Sequence, residues 1–232
     1  MPGRRVLLAG SSGGIGTGLA LAFPGDTLFL HYHLHEPSCK EKGHLVRADL
    51  TNYDEVERMV GDIQDTWGGI DVVVNATGIS IDGFAHKLAP EAWRSVIDTN
   101  LSGSFNLVRA VLPSMRANKY GRIILLTSVV FQNAVMGTLA YSASKAGLIG
   151  LARTVALENA RMKITCNCVA LGYFDAGMLY QIPEQLREQL RMKIPLERFG
   201  RIEELTKTVE YLIATEYITG QVISLNGGMY MG

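Results

Sequence analysis

The stretch Arg5-Val6-Leu7-Leu8-Ala9-Gly10-Ser11-Ser12-Gly13-Gly14-Ile15-Gly16 is a short apolar run closed by a glycine-rich turn, and an Ala/Leu-rich helical stretch follows it to about residue 23. Strand, glycine loop and helix in this order let backbone approach a pyrophosphate, and the first helical turn offers free N–H groups and the favourable end of its dipole. The candidate contacts are Gly10, Ser11, Ser12, Gly14, Ile15 and Gly16. Their spacing is Gly10-x-x-x-Gly14-x-Gly16, not the tighter G-x-G-x-x-G. Glycine turns are common, so the position between a strand and a helix gives this one its weight.

Working outward, apolar runs at 27–33, 44–48, 70–74, 122–128, 163–170 and 221–225 read as strands. Helical patterns at 52–67, 90–118, 140–156 and 202–214 fall between them. This alternation predicts an α/β fold, a doubly wound Rossmann-like domain over 1–232 with a mainly parallel seven-stranded sheet. The link between the second and third strands has only about 10 residues, below the dozen or so that a parallel crossover needs. The helix there is therefore expected to be missing or reduced to a turn. Residues 175–198 are amphipathic, follow a strand end directly and form a candidate substrate lid.

The sequence has 232 residues, no net formal charge and 47% hydrophobic content, which suits one soluble domain with a substantial core. A neutral balance gives no reason to expect nucleic acid or a membrane surface as partner. No apolar run approaches the roughly 18 residues of a membrane span, and Met1-Pro2-Gly3-Arg4-Arg5 leads into a strand without a cleavable apolar region. Cys39, Cys166 and Cys168 make no disulfide or metal framework; packing is the expected role of the last two, and a reducing cytoplasm fits.

Chemistry concentrates further along. Tyr141 and Lys145 are four residues apart in a helical stretch and share a face. A phenol has a pKa near ~10, and an ammonium beside it is expected to lower that value. Ser128 ends a strand, at the sheet edge where ligands of open α/β folds bind. A hydroxyl donor, a proton-transferring phenol and a cation converging there can reduce a carbonyl if a hydride source lies alongside. Asn75-Ala76-Thr77-Gly78 closes another strand with small residues that admit a cofactor, although Asn75 has the alternative role of locking adjacent strands. Asp49, beside Leu50, either accepts from an adenine amino group or caps the next helix. Asn100 sits inside the 90–118 helix, where an asparagine kinks backbone, binds water or packs. His31, His33 and His35 alternate without a third ligand type, so they read as solvated strand-end residues; no metal is expected.

These motifs occur in the order found in the short-chain dehydrogenase/reductases, which the chain resembles over essentially its whole length; Ser128 stands thirteen residues before Tyr141, a spacing familiar there. Within the family it looks most like the 3-oxoacyl-[acyl-carrier-protein] reductases. Trp93-Arg94-Ser95-Val96-Ile97-Asp98-Thr99-Asn100-Leu101, Ile194-Pro195-Leu196-Glu197-Arg198-Phe199-Gly200 and the ending from Tyr217 to Gly232 carry that likeness. The resemblance implies reduction of an acyl thioester, with an acyl carrier protein as possible partner, and a homotetramer built on the 90–118 and 140–156 helices and the last strand. It implies that Tyr141 gives the proton, Lys145 lowers its pKa and holds the nicotinamide ribose, Ser128 bonds the carbonyl oxygen, and Asn100 holds a water leading to Lys145. His33, Asp49, Leu50, Asn75, Ala76, Thr77, Gly78 and Gly172 join the glycine loop as cofactor contacts.

Several positions depart from the family pattern: Ala9, Gly13, Ala76, Thr77, Leu171 and Ala176. Gly13 lacks the cation that reductases favouring NADPH often carry, while the second strand ends without the acid that selects NADH. NADP(H) is favoured on the likeness, with NAD(H) the alternative, and a phosphate contact would come from His33, His35 or nearby loop residues. Arg116, Lys119, Arg122, Arg161 and Lys163 are the cations available to an acidic carrier. The competing readings are a reductase of an acyl-CoA or another small ketone or alcohol, and a non-catalytic nucleotide-binding member. An intact Asn100, Ser128, Tyr141 and Lys145 set argues against the latter.

Overall fold

The computed structural model describes residues 3–231, so Met1, Pro2 and Gly232 of the terminal readings lie outside the described residues. The strands are β1 (Arg5–Ala9), β2 (Thr27–Tyr32), β3 (His44–Arg47), β4 (Val72–Asn75), β5 (Gly121–Ser128), β6 (Ile164–Leu171) and β7 (Val222–Leu225). They form one sheet in the order β3-β2-β1-β4-β5-β6-β7, and every neighbouring pair is parallel. Alternation along the strands sends side chains to two cores. Leu7, Phe29, Val73, Ile123 and Cys166 pack with α2 (Tyr53–Trp67), α4 (Gly103–Asn118) and α5 (Leu139–Asn159). Leu8, Leu30, Val74, Ile124 and Val169 face α1 (Gly14–Ala20) and α7 (Ile202–Ala214).

The β2–β3 link carries only a short 3-10 turn, Lys40–Lys42, as its length predicts. No helix covers that corner, and Leu45 on the edge strand stays 36% exposed. Asn52, not Asp49, caps α2: its side chain accepts from the N–H groups of Asp54 and Glu55.

The 90–118 helix departs from a single regular rod. It consists of α3 (Pro90–Ile97), a π turn at Asp98–Ser102 and α4 in unbroken succession. The Gly103 N–H reaches back to the Asp98 oxygen, an extra residue in the turn. Asn100 lies in that turn, wholly buried.

Chain order reverses between β1 and β4, so the loops following these strands part and leave a crevice at the carboxyl edge. The glycine loop flanks it on one side and Asn75–Gly78 on the other. The basic residues proposed for a carrier sit at the opposite edge, around the starts of β5 and β6. Arg122 is moreover 2% exposed. It donates to the main-chain oxygens of Gly121, Lys163 and Ile213 at 2.9–3.0 Å and pairs with Glu216 at 3.0 Å. Within one chain these cations cannot border the crevice, and Arg122 is a structural clamp. Arg122→Ala strands three carbonyls and should lower unfolding free energy by on the order of 3 kcal/mol in urea titration. Nucleotide affinity of the folded fraction should be unchanged.

Candidate active site

The glycine loop owes its path to close backbone contacts. Gly10 adopts φ +79°. A side-chain carbon at Gly16 would collide with the Gly10 oxygen, and one at Gly14 with the backbone of Gly177 beyond β6. Ser11 is fully buried, while Ser12 is exposed and Ile15 partly covered. His31 holds this loop, contrary to its reading as a solvated residue. It is 2% exposed, its Nδ1 accepts from the Gly10 N–H at 3.2 Å, and its Nε2 lies 3.0 Å from the Ala48 oxygen. The Ser11 N–H and hydroxyl both donate to the His31 oxygen, at 3.0 and 2.8 Å. Burial pushes the His31 pKa down to about 4, so the ring is neutral near pH 7 and carries its proton on Nε2.

Beyond the loop lies a recess of about 370 Å³ lined by His31, His33, Asp49, Leu50, Thr77 and Thr99, among others. His33 is exposed and its Nε2 stands 3.8 Å from the Asp49 carboxylate. Partial burial works against that carboxylate, but its bonds from the Thr51 N–H and hydroxyl and the nearby imidazoles hold its pKa below the usual value. Leu50 is buried and its oxygen accepts from Asn106.

Asn75 does not lock neighbouring strands. Its amide donates to the Ser104 hydroxyl on α4 at 2.9 Å, and its oxygen accepts the Thr77 N–H and hydroxyl at 3.0 and 2.6 Å. Ala76 continues the crevice wall, its N–H on the Ala9 oxygen. Asn100 accepts from the Ile79 N–H at 2.8 Å and donates to the Ile79 oxygen and the Ser144 hydroxyl at 2.9 and 3.0 Å. Both of its donors are thus committed to fixing the loop after β4 against α5. Gly172 packs on Asn226 at the end of β6.

Ser128 and Tyr141 line one cavity of about 440 Å³ together with Val130, Met136, Gly172 and Leu179. Lys145 lies beneath, 4% exposed, its Nζ donating to the Leu126 oxygen at 2.9 Å and the Thr77 oxygen at 3.3 Å. A side-chain carbon at Gly78 would stand 3.1 Å from that Nζ, so the glycine admits the lysine. Burial lowers the Lys145 pKa to about 8. Against the expected lowering by Lys145, the net shift at Tyr141 is upward. The ammonium is tethered to carbonyls 5.7 Å from the ring centre; burial raises the Tyr141 pKa, and the facing Ser128 hydroxyl pulls it partly back.

A family model described as enoyl-(acyl carrier protein) reductase matches residues 10–230. The 3-oxoacyl-[acyl-carrier-protein] reductase FabG of Staphylococcus epidermidis is 37% identical, the alignment covering 98% of this chain and 99% of that protein. The chain belongs to the short-chain dehydrogenase/reductase family. Its similarity extends to nodulation protein G of a Rhizobium species, 36% identical over 100% of this chain and 98% of the relative. Acetoacetyl-CoA reductase of Shinella zoogloeoides is 35% identical over 98% of each chain. As a short-chain dehydrogenase/reductase it is an NAD(P)-dependent oxidoreductase acting on a carbonyl or hydroxyl group. The residues fit such a dinucleotide: the turn carries no side chain at Gly10, Gly14 or Gly16, and its Ile15 lines the Ser128–Tyr141 cavity.

Sequence reasoning missed His31 and Ser144. The available signal was strand period: His31 continues the inward face of Phe29, two residues earlier. Since His31 binds its proton more weakly folded (pKa about 4) than unfolded (about 6.5), the unfolded chain takes up more protons below neutrality. Stability from this group is complete above pH 6.5 and lost as pH falls to 4, by on the order of 3 kcal/mol. Urea unfolding between pH 7 and 4.5 should show this loss, and His31→Asn should remove the histidine's share.

Proposed function

We propose that this chain reduces a 3-oxoacyl thioester, carried by an acyl carrier protein, to the 3-hydroxyacyl thioester of fatty-acid synthesis. The observation that carries this reading is one largely apolar cavity lined by both Ser128 and Tyr141, with the buried ammonium of Lys145 beneath it. Among the described residues lining the cavity only Asp82 is charged; Val130, Val135, Met136, Leu179 and Ile182 suit an acyl chain. The 37% identity to a protein named as such a reductase supports the substrate class.

The chemistry that a nicotinamide held in the crevice would supply is a hydride for the ketone carbon. Tyr141 gives its phenolic proton to the ketone oxygen, and Ser128 donates a hydrogen bond to the same oxygen as negative charge develops there. Lys145 sits where its charge favours the phenolate left behind, and it holds the ribose of the cofactor. Asn100 fixes the Ile79 loop and α5, and through a water serves the proton path that resupplies Lys145 and Tyr141. The cofactor is NADP(H), contacted by the glycine loop, by His33, Asp49 and Leu50, by Asn75 to Gly78, and by Gly172.

The working unit is one dinucleotide-binding and catalytic domain over 1–232, with residues 175–198 as substrate lid. Four copies assemble through α4 and α5, whose outer surface leaves Phe105 and Leu157 49% and 83% exposed. No helix among the described residues is long and apolar enough to cross a membrane, and we place the protein in the cytoplasm. A second reading, reduction of an acyl-CoA, draws support from the acetoacetyl-CoA reductase relative.

Tyr141→Phe should cut ketone reduction by at least about 10²-fold while NADPH still binds. Turnover at the wild-type rate would remove Tyr141 from the chemistry. Initial rates with a short 3-oxoacyl thioester should be higher with NADPH than with NADH, and higher on the carrier protein than on coenzyme A. The reverse order on either axis would replace that part of the assignment.

A further inference from the structure

We propose that His31 is a positioning residue for the nicotinamide dinucleotide, acting through the Gly10 N–H to set the glycine loop. The imidazole is 2% exposed and bridges two elements: Nδ1 accepts from Gly10 at 3.2 Å and Nε2 donates to the Ala48 oxygen at 3.0 Å. The same residue's main-chain oxygen takes both donors of Ser11. His31 thus fixes the first two loop residues at once, one by its ring and one by its backbone. The loop needs such a hold. Gly10 lies at φ +79°, where a glycine has no steric preference for one conformation, and its own oxygen accepts the Gly13 N–H at 3.1 Å. A Gly10 N–H without an acceptor would be a partly buried donor lacking a partner, and the turn would reorient to find one. His31 also lines the recess shared with Asp49 and Thr99, so its ring touches the space meant for the adenosine half.

The inference rests on dinucleotide binding by the family, not on the identity of the ketone. Its two bonds can be separated by substitution. His31→Asn places an oxygen where Nδ1 stands and keeps the Gly10 bond; His31→Gln places an amide near Nε2 and keeps the Ala48 bond. Binding of NADPH and NADH to purified protein, without ketone, is read by the rise in nicotinamide fluorescence, and melting temperature is recorded in parallel. We expect His31→Gln to weaken binding by about tenfold, the worth of one buried hydrogen bond. His31→Asn should stay within about threefold of wild type, although both lose a similar amount of thermal stability. In steady state the Gln variant should raise the cofactor KM and leave kcat and the ketone KM nearly unchanged. Equal affinity in the two variants, or losses that track melting temperature alone, would reduce His31 to a core filler and overturn the proposal. Failure of wild type to bind either nucleotide would instead sink the family-level reading, and the two failures are distinct.

Discussion

An ammonium buried at the carboxyl edge of the sheet is the constraint that the rest of the site obeys. Lys145 is 4% exposed, and its charge is met by carbonyl dipoles of Leu126 and Thr77 rather than by a carboxylate. An isolated buried charge is costly, so those oxygens must be held in place. The Thr127 hydroxyl donates to the Lys145 oxygen at 2.9 Å, which ties α5 to β5 beside the ammonium. Gly78 lacks a side chain because the lysine passes there. Strand ends, helix and loop therefore form one assembly around a single nitrogen.

The π turn belongs to the same assembly. One extra residue between α3 and α4 accommodates Asn100, whose amide bonds Ile79 and Ser144 simultaneously. A regular helix has no reason to interrupt its ladder at that point, and π turns recur where a side chain has to be re-aimed. Ser104 completes the arrangement, donating to the Asn100 oxygen while accepting from Asn75. The loop after β4 is thus fastened to two helices at once.

Much of this was legible in the amino-acid order because parallel strands buried on both faces spell continuous apolar runs. The short β2–β3 link was legible from chain length alone, and the strand-end position of Ser128 from the apolar run before it. Side-chain direction at strand ends was not. His31 and His33 look alike in sequence, yet one is a buried loop clamp and the other is exposed beside Asp49. Arg122 reads as a surface cation, but three converging carbonyls, which no local pattern announces, draw it inward. The net direction of the Tyr141 shift was hidden for a similar reason: helical spacing brought Lys145 to the right face, while burial of the phenol, which spacing does not announce, pushes its pKa up.

The contact between Gly14 and Gly177 joins the first helix to the segment after β6 with no side chain between them. Position 14 is barred to other residues by the backbone of Gly177, and position 177 by a φ of +58°. Neither can drift alone over evolutionary time. A variant that rebuilds the segment after β6 has to keep this bare patch or change both ends together, so variation in that segment is steered to its outer turns, away from the point of contact.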